Sequence, residues 1–68
     1  MKYIPGHEFA VTKKLRGLEL GESYKIYHIV PSEDRVKYTF VTKNGTVDFE
    51  FESITEAEQV INKASGVK

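Results

Sequence analysis

Sixty-eight residues are enough for one domain with a single hydrophobic core and leave no length for a second. Ten basic residues balance ten acidic ones, which argues against a general nucleic-acid or membrane coat, because such proteins concentrate positive charge to gather phosphates. The chain has no cysteine, so a disulfide framework and thiolate metal sites are excluded, and no stretch approaches the roughly 20 apolar residues of a membrane span. A soluble, cytoplasmic protein with no cofactor and no membrane partner is the expectation.

In chain order, Glu8 to Lys13 reads as a first strand, with Phe9 and Val11 pointing one way. Leu15, Leu18 and Leu20 punctuate the long connection after it, placed to plug an open end of a sheet. Tyr24 to Val30 is rich in β-branched and aromatic residues and stops at Pro31, so it reads as a second strand. Tyr24, Ile26, His28 and Val30 fall on one face, yet Tyr27 and Ile29 make the other face apolar as well, which implies a strand covered on both sides. Ser32-Glu33-Asp34-Arg35 is hydrophilic and connects it to a hairpin.

Asn44-Gly45 is the strongest local signal, because the pair readily takes the positive φ values of a type I′ turn and joins two strands through a two-residue loop. Counting outward sets Thr42 against Val47, Phe40 against Phe49 and Tyr38 against Phe51 on one face. Val41 then opposes Asp48, Thr39 opposes Glu50 and Lys37 opposes Glu52 on the other. Ser53 to Glu58 offers two overlapping helix starts, of which Thr55 with Glu58 makes the better capping box. Ala57, Val60, Ile61 and Ala64 lie on one helical face, and Gly66 is the stop. The fold class expected for residues 1–68 is therefore α+β, mainly β. One small domain has about four antiparallel strands in a meander, SH3-like or a partly open barrel, closed by a C-terminal helix.

Catalysis requires a positioned acid, base or nucleophile, and the candidates are few, so the chain reads as no enzyme. His7-Glu8 has Val11 where a zinc-binding helix would need its second histidine, leaving an exposed flexible histidine as the reading. His28 is a strand histidine with no nucleophile set beside it. Asp48, Glu50 and Glu52 are spaced about 6.6 Å apart on a strand, within the range of glycosidase pairs, but they stand on a solvent-facing ladder and not in a cleft.

Two binding readings remain. Tyr27, Ile29 and Val41 form an apolar patch on the face the helix leaves uncovered, rimmed by Asp48 and Glu50, and patches of that kind mark protein contacts. The alternative is weak nucleic-acid binding by the basic loop Lys13, Lys14 and Arg16 with Lys25 nearby, where three or four cations neutralise only a few phosphates. The acidic hairpin suggests a further variant in which spaced carboxylates mimic phosphates.

A small sheet with a tight hairpin followed by a C-terminal helix is similar, over the second half of the chain, to the small archaeal chromatin proteins with SH3-like barrels. Where those place bases on the DNA-reading sheet, this chain has Asp48, Glu50 and Glu52. The resemblance extends to architecture and not to function. The sequence thus points to a small non-catalytic protein-interaction module, an adaptor, regulator or inhibitor. Its partner would be another protein or a second copy of itself, with nucleic acid ranked second.

Overall fold

The computed structural model describes residues 2–67. Strands β1 (Glu8–Ala10), β2 (Ser23–Pro31), β3 (Val36–Thr42) and β4 (Gly45–Phe51) lie side by side in chain order, all antiparallel, and helix α1 (Ile54–Ser65) follows. The sheet is not closed, so β1 and β4 are its two edges. α1 lies across the inner face and touches both β1 and β4. This is the mainly-β meander with a C-terminal helix that alternation and helical spacing imply.

The core fills the space between sheet and helix. Tyr38, Phe40, Phe51, Leu18, Ile26, Ile61 and Val11 are fully enclosed, and α1 contributes Ala57, Val60, Ile61 and Ala64 as its spacing requires. Burial of Val60 and Ile61 contributes about 1.5 to 3 kcal/mol each. Phe40 meets Phe9 and Tyr24 edge-on at 5.6 and 5.8 Å, the geometry that sets a positive ring edge against a negative ring face. Of the three connecting leucines, Leu18 is buried and Leu15 packs against the core, but Leu20 is exposed and plugs nothing. The first strand stops at Ala10, three residues short of the expected end, although Val11 still points into the core.

The β3–β4 hairpin forms with its faces as expected and its register displaced by two residues. Thr42 pairs with Gly45, Phe40 with Val47, Tyr38 with Phe49 and Val36 with Phe51. The loop is Lys43-Asn44, not Asn44-Gly45. Thr42 explains the slip: its Oγ1 accepts the Asn44 N–H at 3.0 Å, so the turn starts one residue earlier and Gly45 takes the positive φ of 117° alone. A slip of two preserves side-chain parity. Asp48, Glu50 and Glu52 therefore remain exposed while Phe51 is buried and Phe49 half-buried.

Helix α1 is capped by Ser53, not by Thr55. Ser53 is extended, with φ −158°, and its Oγ accepts the Glu56 N–H at 3.1 Å, while Glu56 Oε1 accepts the Glu52 N–H at 3.1 Å. This arrangement caps two otherwise unpaired donors and lets Ile54, the first helical residue, pack on the core. At the other end, Gly66 adopts φ 82°, its N–H reaching the Lys63 carbonyl and that of Val67 the Asn62 carbonyl. That pair of bonds is a Schellman motif.

Candidate functional site

Side-chain parity along β2 changes at one residue. Ile26 pairs with Phe40 and His28 with Thr39, leaving Tyr27 as the extra residue of a β-bulge. Before the bulge, Tyr24 and Ile26 point inward. After it, Ile29 opposes Tyr38 and packs against the core, whereas His28 and Val30 are exposed on the outer face. The expected grouping of Tyr27 with Ile29 is therefore corrected: Ile29 belongs to the interior. His28 and Val30, expected to share the face of Tyr24 and Ile26, stand outside with Tyr27.

The bulge also lets two successive side chains lie together. The Tyr27 and His28 rings are 4.1 Å apart, a contact that regular alternation forbids between neighbours in a strand. Tyr27 is 55% exposed, Val30 48% and Val41 36%. Around these, strand pairing places Lys25 opposite Val41, Thr39 between His28 and Asp48, and Lys37 between Val30 and Glu50. Thr39 Oγ1 donates to Asp48 Oδ1 at 2.8 Å, and Arg35 Nε approaches Glu50 Oε1 at 3.6 Å. The result is an apolar and aromatic centre with a rim of both charges. Of the residues singled out from sequence, Tyr27, Val41, Asp48 and Glu50 share this face. A spacing of two from Tyr24 to Ile26, then three to Ile29, is the sequence signal that would have revealed the bulge and added His28 and Val30.

The cations of the alternative site are not brought together. Lys13 and Lys14 are exposed, and the Lys13 N–H joins that of Thr12 on the Ala64 carbonyl near the end of α1. Arg16 is engaged at the opposite end of the helix. Its Nη1 is 3.2 Å from Glu56 Oε1, its Nη2 donates to the Glu50 carbonyl at 3.2 Å, and its guanidinium lies 5.0 Å from the centre of the Phe51 ring. Ala64 lies eight positions beyond Glu56 along the helix, about 12 Å along the axis. Lys25 is elsewhere again, on the outer face between Glu8 and Val41.

Two titratable groups are perturbed. The Glu56 carboxyl is held below its ordinary range, chiefly by the Glu52 N–H; desolvation opposes this, and the hydrogen bond and charge of Arg16 add to the lowering. The Tyr38 hydroxyl is pushed up by burial and secondarily by the Glu58 carboxylate, and it has no hydrogen-bond partner among the described residues. Both groups belong to the framework of the helix and sheet, away from the outer face. His7, expected to be exposed and flexible, instead stacks between Tyr3 at 4.4 Å and Phe9 at 6.4 Å. Among the described residues, no three His, Asp or Glu side chains gather as a metal site would require. No described helix is long and apolar enough to cross a membrane.

Comparison with protein-family models, curated proteins and solved structures finds no significant match.

Proposed function

We propose that this chain is a non-catalytic protein-interaction module, an adaptor, regulator or inhibitor, which takes another protein or a second copy of itself on the outer sheet face. The observation that supports this is the Tyr27–His28 pair, which the bulge displays beside Val30 and Val41 on the side of the sheet that α1 leaves uncovered. Aromatic rings supply much contact area with few rotatable bonds, and a charged rim adds selectivity to an apolar centre. Asp48 and Glu50 are the acidic contacts of that rim. The SH3-like barrel expected from the sequence does not support this reading, since fold does not bring function with it. No observation favours nucleic acid, because Arg16 is occupied by Glu56 and Phe51.

The test compares the unaltered chain with Tyr27→Ser and Val41→Ser, each an exposed position where stability should change by less than about 0.5 kcal/mol. Sedimentation velocity reports self-association, and affinity capture from the native host reports other partners. The expected result is an unchanged thermal transition with loss of whichever complex the unaltered chain forms. Retention of that complex by both variants, or loss of cooperative folding, would overturn the reading.

A further inference from the structure

The two edges of the sheet differ. β1 is three residues long, whereas β4 runs for seven and, among the described residues, pairs with β3 alone. In a two-residue hairpin loop the flanking residues exchange hydrogen bonds, so Thr42–Gly45 is a bonded pair, as are Phe40–Val47 and Tyr38–Phe49 by alternation. The intervening Thr46, Asp48 and Glu50 consequently turn their N–H and C=O groups away from β3. Arg16 supplies independent support, since it reaches the Glu50 carbonyl from outside the sheet. Among the described residues, the outward backbone groups of Thr46 and Asp48 have no backbone partner.

Each side of this edge has its own chemistry. On the outer side Asp48, Glu50 and Glu52 form an exposed acidic row. On the inner side Val47, half-buried Phe49 and 61%-exposed Leu20, together with the acids Glu19 and Glu22, line a groove of about 430 Å³. A second β4 laid on the edge would set acids against acids, and like charges directly opposed across a sheet are destabilising. The chain already contains the complementary pattern: Arg35 and Lys37 project outward from the β3 side beside Glu50, while Val36, Tyr38 and Phe40 project inward.

We propose that the edge of β4, open at Thr46 and Asp48, accepts an extended segment of a partner protein in which basic and apolar residues alternate. Main-chain bonds to Thr46 and Asp48 hold such a segment, as in other cases of strand addition. Its basic side chains face Asp48 and Glu50, and its apolar ones lie along Val47, Phe49 and Leu20. The site shares two acids with the outer-face reading but does not rest on it.

The experiment titrates the isotope-labelled full chain with a capped peptide of alternating lysine and valine, KVKVKVK, and with EVEVEVE as its charge-reversed control, following backbone amides by NMR. The expected response to KVKVKVK is a shift of Thr46 to Glu50 and Leu20, with hydrogen exchange slowed at the Thr46, Asp48 and Glu50 amides. EVEVEVE should produce neither effect. Asp48→Lys should weaken KVKVKVK binding by at least about tenfold, since it sets a like charge against the ligand. Tyr27→Ser should leave that binding unchanged, although it abolishes capture on the outer face, so the two readings fail separately. No response to KVKVKVK, an equal response to both peptides, or shifts confined to other strands would overturn the proposal. The exchange measurement on the unaltered chain decides the matter even if Asp48→Lys fails to fold.

Discussion

The Arg16-Gly17 turn and the Lys43-Asn44 turn, which Gly45 closes, differ in which residue carries the unusual backbone. At the first, both residues have positive φ, 56° and 97°, and the Leu18 N–H returns to the Leu15 carbonyl at 2.9 Å. That is the pattern of a type I′ turn. At the second, only Gly45 is left-handed, while Asn44, the residue better suited to positive φ, does not adopt it. A side chain with a Cβ loses about 1 to 2 kcal/mol in the left-handed region, so something must hold Arg16 there. Contacts distant in sequence do so, through Glu56, the Glu50 carbonyl and the Phe51 ring. Turn propensity is a local preference, and it yields where a tertiary clasp or a neighbouring hydroxyl offers more.

The contrast can be broken most strongly at Gly45. Nothing crowds a Cβ there, so Gly45→Ala should lose about 2 kcal/mol from backbone strain alone, seen as a lower urea midpoint with an unchanged slope. Preservation of the midpoint would mean that the second turn does not need its left-handed residue.

Arg16→Ala should cost about 1 kcal/mol through the lost cation–π contact, and Arg16→Gly should be less damaging because it relieves the backbone. Acid sharpens this test. The folded Glu56 carboxyl is held below its ordinary range, so its stabilisation is complete above the usual carboxylate pKa and is lost as pH falls through the lowered value. The stability gap between the unaltered chain and Arg16→Ala should therefore narrow in acid; a gap that widens would refute the clasp. The smallest effect is expected for Asn44→Ala, less than about 0.5 kcal/mol, because negative φ suits alanine. A loss comparable to that of Gly45→Ala would restore Asn44 to the left-handed position.

These turns also mark how much of the molecule is legible in its sequence. The apolar faces of β3, β4 and α1 follow directly from alternation and helical spacing, and a register slip of two residues leaves those faces intact. Which side of Thr42 the loop begins on is not legible, since it turns on one hydroxyl accepting one N–H. The helix start is ambiguous for a similar reason: Ser53 and Thr55 are both good caps, and the decision lies with Ile54 packing on a core that the sequence does not display. The candidate site suffers most. A run apolar on both faces reads as a doubly covered strand, whereas the bulge at Tyr27 divides it into an inward and an outward half. Arg16 looks like an available cation, because a partner forty residues away leaves no trace in local pattern.

The attachments of α1 bear on the order in which this molecule can assemble. Glu58 accepts the N–H groups of Lys2 and Tyr3, the Tyr3 hydroxyl donates to Asn62, and Ala64 receives Thr12 and Lys13. Helix α1 is thereby stitched to residues 2–13, and closing loops of that length costs entropy before any contact repays it. During synthesis the sheet must wait, with its aromatic face uncovered, until Ala64 has emerged to seal it.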